Sequence, residues 1–273
     1  MSAHASRWLI ALDLDGTLFQ DDLVISPRIV ATVAAAHALG HYVTLATGRS
    51  FAMVRPVAKQ LGLDDAMITY QGAMVRSEQE LVWQQTLPIA VAREVIRYAE
   101  ERGLALHVYV GDGVFTMART AETGFYEAMH PGERLEFVGP LGAFLTAEPI
   151  KLLFNLDPLR SEAVAVELAE RLGTSASVVR SHSHYVEVTH REVNKGRALL
   201  ALADRAAIPR AQTLAVGDNL NDLSMLQAAS IGVAMGNAVP ALKLVADWVA
   251  PSVREDGAAV AIERFILQRA ASR

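Results

Sequence analysis

Cysteine is absent from the 273 residues. That absence removes thiolate nucleophiles, zinc-thiolate sites and any disulfide framework, and it suits a reducing compartment, so a cytoplasmic location is expected. Long apolar runs are missing as well. No stretch approaches the ~20 residues that span a bilayer, and Met1–Arg7 lacks the basic-then-apolar order of a secretion signal; no membrane association is expected. An excess of positive charge is also lacking. The net charge is -5, with 25 Lys and Arg against 30 Asp and Glu. The two signs are interspersed, so there is no basic footprint for a phosphate backbone and nucleic acid is not an expected partner. No low-complexity tract or repeat suggests a solenoid.

What is present is apolar side chain: 52% of residues are hydrophobic and 20% charged, a balance that buries a core. The length exceeds one average domain and falls short of three, which favours a core carrying a smaller inserted module.

The first apolar run, Trp8–Leu12, ends in Asp13-Leu-Asp-Gly-Thr17 and reads as a short buried strand followed by a turn. Ser26-Pro27 caps a helix that Gly40 stops, and a second strand runs from Tyr42 to Ala46. After the turn Thr47-Gly-Arg49 come another helix, to Leu61, and a third strand near Ala66–Tyr70. The same rhythm returns near the end, with helix Lys195–Ala206, strand Thr213–Val216, helix Asp222–Ala229 and strand Ile231–Ala234. Such alternation implies an α/β fold: a doubly wound parallel sheet with right-handed crossovers. Between about Trp83 and Tyr185 the pattern changes to a helix, paired strands around Gly111-Asp-Gly113, another helix and strands at Lys151–Leu156 and Val178–Ser181. The expected organisation is a core of residues 1–83 and 186–273 with an inserted α+β module of residues 84–185.

Ligands of open parallel sheets bind beyond the carboxyl ends of the strands. Here those ends carry Asp13, Asp15, Thr47, Asp218 and Asp222. Crowded carboxylates repel one another unless a cation neutralises them, and all-oxygen donors favour a hard ion such as Mg2+. Asp13 is the candidate nucleophile, forming an aspartyl-phosphate. Asp15, two residues on, is the candidate acid that protonates the leaving oxygen and the base that then activates water. Gly16 and Thr17 shape the turn and offer hydrogen bonds. Thr47 and the Gly48 amide can donate to phosphoryl oxygens, while Arg49 either grips phosphate or packs its stem on the next helix.

Lys195 follows Asn194, a good N-cap, and so places a cation at the positive end of a helix dipole, a cost of roughly 0.3 to 1 kcal/mol that a nearby anion removes. Taken alone it reads as a solvated surface lysine; the companion turns at Asp13 and Gly217 reverse that reading. Gly217-Asp-Asn-Leu-Asn-Asp222 consists of ordinary turn and cap residues, but with the Asp13 turn it points to one polar site. Asn221 completes the candidate phosphate ligands. His182 and His184 share one strand face, but without a nearby carboxylate or third histidine they read as solvated rather than metal-binding. Tyr109, Phe115, Phe125 and Tyr126 read as core of the insert.

With these residues assembled, the chain resembles the haloacid dehalogenase superfamily and, within it, the Cof-type phosphatases with an α+β cap of the IIB kind. Asp13-Leu-Asp-Gly-Thr17 is similar to the first motif, Thr47-Gly-Arg49 to the second, Asn194-Lys-Gly196 to the third and Gly217-Asp-Asn-Leu-Asn-Asp222 to the fourth. Glu187-Val-Thr189, Ala234-Met-Gly-Asn-Ala238 and Asp256-Gly257 are further matches. The resemblance implies Asp13 as nucleophile, Asp15 as acid/base, and Thr47 and Lys195 as phosphate ligands. It places Asp13, the Asp15 carbonyl and Asp218 on Mg2+, with Asp222 in support. The implied activity is Mg2+-dependent hydrolysis of a small phosphorylated metabolite: a sugar phosphate, a nucleotide or a phosphorylated cofactor. A phosphomutase and a non-catalytic phospholigand-binding module are the alternatives. One departure is Gln71-Gly-Ala73, where relatives commonly carry Asn-Gly-Ala; the amide is kept and its reach lengthened.

Overall fold

The computed structural model describes residues 7–19, 24–130 and 132–268, with backbone alone at His182. The segment before Arg7 and the His182 side chain, both weighed above, lie outside the described residues. The chain divides into two compact units, Met1–Trp83 with Asn194–Arg273, and Gln84–Val193.

The first unit opens with β1 (Leu9–Leu12), α1 (Pro27–Ala38), β2 (Tyr42–Leu45), α2 (Phe51–Gln60), β3 (Met67–Thr69), β4 (Met74–Arg76) and β5 (Leu81–Gln84). Every residue of β1 and β2 is buried, as strands covered on both faces by helices must be. The helices begin where sequence chemistry sets them: Ser26 accepts from the Ile29 amide ahead of Pro27, and Ser50 accepts from the Met53 amide.

The second unit contains α3 (Ile89–Arg102), β6 (Ala105–Val110), β7 (Gly113–Thr116), α4 (Ala121–Met129), β8 (Leu135–Phe137), α5 (Leu141–Phe144), β9 (Lys151–Asn155), α6 (Pro158–Leu172), β10 (Ser177–His182) and β11 (Tyr185–Thr189). Its sheet has the order β10-β11-β9-β6-β7-β8. Leu106, Val108, Leu152, Phe154, Val186 and Val188 join residues of α3 and α6 in one apolar cluster. Several alternate positions are polar: Lys151 Nζ lies 3.1 Å from Glu187 Oε2, and Ser181 Oγ donates to Glu187 Oε1 at 2.6 Å. Tyr109 and Tyr126, expected in the core, are buried there with their hydroxyls hydrogen-bonded to each other. The return to the core expected at residue 186 falls later, at Asn194. Tyr185–Thr189 pairs with β9 and β10, which fixes it in the second unit's sheet.

The first unit then resumes with α7 (Lys195–Arg205), β12 (Thr213–Gly217), α8 (Leu223–Ala228), β13 (Ile231–Ala234), α9 (Pro240–Lys243), β14 (Trp248–Val249) and α10 (Gly257–Ile262). Its parallel sheet has the order β14-β13-β12-β1-β2, with a bridge from Ala46 to Ile68 attaching β3 beside β2. Leu12 pairs in register with Val216 on one side and Leu45 on the other. The three strands end level, and Asp13, Thr47 and Asp218 leave the sheet at one edge. Among the described residues no helix is long and apolar enough to cross a membrane.

His107, in the second unit, is fully buried against the Tyr126 ring at 4.2 Å, and neither ring nitrogen has a hydrogen-bond partner among the described residues. Burial first, then the charges of His130 and Lys151, push its pKa down to about 3. The unfolded chain protonates a histidine near pH 6.5, whereas the folded chain resists until about pH 3. The stability this neutral ring contributes is therefore complete above about pH 6.5 and is lost as pH falls through that window. Melting temperature is expected to fall on acidification from pH 7.5 to 4, and His107→Phe to flatten the fall. Identical slopes for the two proteins by circular dichroism would contradict this origin.

Candidate active site

The turn after β1 is held by main-chain bonds from Thr17 and Leu18 to the Leu14 carbonyl, at 3.1 and 2.8 Å. Gly16 has φ of +82°, and a Cβ there would lie 2.2 Å from Asp218 Oδ2. Only glycine lets the carboxylate of the β12 turn pack onto the β1 turn. Asn237 Nδ2 donates to the Gly16 carbonyl at 2.8 Å while its Oδ1 accepts from the Val253 amide. Asn237 was visible in Met-Gly-Asn, but nothing local to that sequence showed that it braces the Asp13 turn. The Thr17 hydroxyl, expected to hydrogen-bond, is buried without a partner among the described residues.

Lys195 is fully buried. Its ammonium donates to Asp13 Oδ1 at 2.7 Å and to Asp222 Oδ1 at 2.5 Å. Asn194 caps α7 by accepting from the Arg197 amide at 2.9 Å, and Gly196 allows the helix to meet the Ser224 carbonyl, which a Cβ would approach to 2.2 Å. Asp222 uses its second oxygen to accept from the Asp218 and Asn219 amides at 3.0 and 3.1 Å. It therefore fixes both the lysine and the loop that carries Asp218.

Thr47 is buried, and its Oγ1 accepts from the Arg49 amide at 3.1 Å, leaving the hydroxyl proton for another acceptor. The Arg49 guanidinium forks onto Asp15, Nε to Oδ2 at 3.0 Å and Nη2 to Oδ1 at 2.5 Å. Arg49 thus holds the candidate acid/base. Gln71 Oε1 accepts from Asn221 Nδ2 at 3.1 Å. Both Tyr70 and Gln71 have left-handed backbones, φ 52° and 60°, each a strain of about 1–3 kcal/mol for a residue other than glycine.

Asp13, Asp218 and Asp222 offer oxygens within 4.8 Å of one another. Burial, then repulsion from Asp222, pushes the Asp13 carboxyl well above the ordinary carboxylate range despite Lys195. The same two causes raise Asp218 to about 6. Burial alone pulls the Lys195 pKa down, but the charges of Asp13 and Asp222 outweigh it and the net shift is upward. One ammonium does not neutralise three carboxylates, and this hard, all-oxygen donor set fits a divalent cation.

The profile of the haloacid dehalogenase-like hydrolases matches residues 10–262. The chain belongs to that family. The chain shares 32% identity over 261 residues with the putative phosphatase YkrA of Bacillus subtilis (strain 168), covering 94% of this chain and 97% of that one. The 5-amino-6-(5-phospho-D-ribitylamino)uracil phosphatase YitU of the same strain is 28% identical, over 94% and 97% of the two chains. The structure of the HAD subclass IIB sugar phosphatase BT4131 matches with a TM-score of 0.81 at 25% identity, over 94% of this chain and 98% of that one.

Removing Lys195 leaves two buried carboxylates of the phosphatase without their cation. Lys195→Met is expected to cost about 3–5 kcal/mol in denaturant unfolding. A loss below about 1 kcal/mol would show that the ammonium does not compensate them.

Proposed function

We propose that the enzyme hydrolyses a small phosphorylated metabolite in a Mg2+-dependent reaction that passes through an aspartyl-phosphate on Asp13. One observation carries this reading. Asp13 stands at the end of β1 with one oxygen tied to a buried lysine, which leaves the other oxygen for in-line attack on phosphorus.

In the first step the free Asp13 oxygen bonds to phosphorus as the bond to the ester oxygen breaks, and Asp15 passes its proton to that leaving oxygen. Asp15 has to part from the Arg49 fork to do so. In the second step water attacks the same phosphorus, Asp15 takes the water's proton, and the Asp13–phosphorus bond breaks to release inorganic phosphate. Lys195, the Thr47 hydroxyl and the Gly48 amide stabilise charge on the phosphoryl oxygens; Arg49 and Asn221 are further candidate contacts at the rim. Asp13, Asp218 and the Asp15 main-chain carbonyl would hold Mg2+, with Asp222 in support. When bound, the cation would neutralise the carboxylates and the phosphate dianion, so that the two anions can meet.

YitU and BT4131 support the substrate class, since one acts on a phosphorylated ribitylaminouracil and the other is a sugar phosphatase. The inserted unit is proposed to select the organic part of the ester. We further propose a cytoplasmic protein that binds neither membrane nor nucleic acid.

Phosphate release from a panel of metabolite esters tests the reading. Asp13→Asn is expected to lower turnover by at least about 10³-fold while melting like the parent protein. Turnover within tenfold of wild type would refute the nucleophile. Chelation by EDTA is expected to stop release and added Mg2+ to restore it. Mg2+ should also raise the melting temperature of the wild type more than that of Asp218→Asn; equal shifts would remove Asp218 from the metal site.

A further inference from the structure

The segment Tyr70–Gly72 has no part in the chemistry above, yet it touches three of the four turns that do. The Tyr70 and Gln71 amides donate to the Arg49 and Thr47 carbonyls, each at 3.0 Å. Gly72 packs so closely on the start of α7 that a Cβ would lie 2.4 Å from the Asn194 carbonyl oxygen. The Gln71 carboxamide covers Gly48, where a Cβ would meet its Nε2 at 2.3 Å, and its Oε1 accepts from Asn221 on the β12 loop.

Sheet order makes the last contact informative. β12 and β2 flank β1, so a hydrogen bond from the loop after β12 to the turn beside β2 spans the end of the strand that leads to Asp13. The bridge is made by a residue with φ of 60° that follows one with φ of 52°. Side chains other than glycine persist in that region only where their surroundings over-determine them, and such strain gathers at functional sites. Glycine at position 71 would relieve the strain and lose the bridge.

We propose that Gln71 is a positioning residue for phosphoryl transfer: its strained backbone and bridging carboxamide hold the Thr47–Arg49 turn and the Asn221 loop at one spacing across Asp13. The proposal rests on the phosphatase reading centred on Asp13. Because the bridge sets geometry rather than folding energy, stability and catalysis respond to its loss in opposite directions.

The test compares the full-length wild type with Gln71→Gly, Asn221→Ala and the double variant. It measures melting temperature, the Kd of inorganic phosphate by calorimetry with Mg2+ present, and kcat and KM for p-nitrophenyl phosphate. Gln71→Gly is expected to melt at or above the wild-type temperature while kcat falls about 10- to 100-fold and phosphate binds more weakly. Asn221→Ala breaks the bridge from its other end and tests the idea even if Gln71→Gly folds poorly. The double variant should lose no more activity than the worse single one, as partners in one interaction do. Unchanged kcat and phosphate Kd in both single variants would overturn the role of Gln71, and so would losses that add fully or follow a falling melting temperature. A wild type that releases no phosphate from any ester would instead overturn the Asp13 reading itself.

Discussion

A lysine without access to water holds the carboxyl-end edge of this protein's parallel sheet together. Lys195 spans two carboxylates that reach it from separate strands, Asp13 after β1 and Asp222 after β12. Without the ammonium, these acids would repel across a dry interior, where an unpaired charge is far more costly than at the surface. With it, the ends of two strands and the start of α7 become one electrostatic unit. The remaining excess negative charge, with Asp218 added, is what gives the site its demand for a cation.

The packing around that unit is accordingly intolerant of extra atoms. Gly16 yields its Cβ space to the Asp218 carboxylate, Gly196 to the Ser224 carbonyl and Gly48 to the Gln71 carboxamide. Each glycine allows a charged or polar group from another segment to come nearer than a side chain would permit. The level register of β12, β1 and β2 sets the coarse alignment, and these close approaches set the fine one.

The second unit shows a different use of buried polarity. One face of its sheet packs apolar side chains against α3 and α6. The alternate positions carry Lys151 and Glu187, with Tyr109 linked to Tyr126 and Tyr126 to Glu133. A network of this kind is costly unless its members are satisfied, and His107, with both nitrogens unpartnered among the described residues, is an exception.

Much of the fold was legible in the sequence because its signals are local. Apolar runs bounded by Asp-Gly, Thr-Gly and Gly-Asp turns located β1, β2 and β12, and Ser26 and Asn194 marked helix starts by capping chemistry that acts within three residues. The second-unit boundary was less legible, because Tyr185–Thr189 is assigned by its hydrogen bonds to β9 and β10 and not by its own composition. The candidate residues could be named from their turns, but their partners could not. Sequence read Lys195 as a phosphate ligand rather than a surface residue; its burial and its two carboxylates come from segments 182 and 27 positions away. It likewise left Arg49 between phosphate and helix, while the folded chain sets it on Asp15. Local chemistry determined which side chains this protein carries to the edge of its sheet, and tertiary structure decided which of them pair, because pairing depends on distances between segments that the order of residues does not encode.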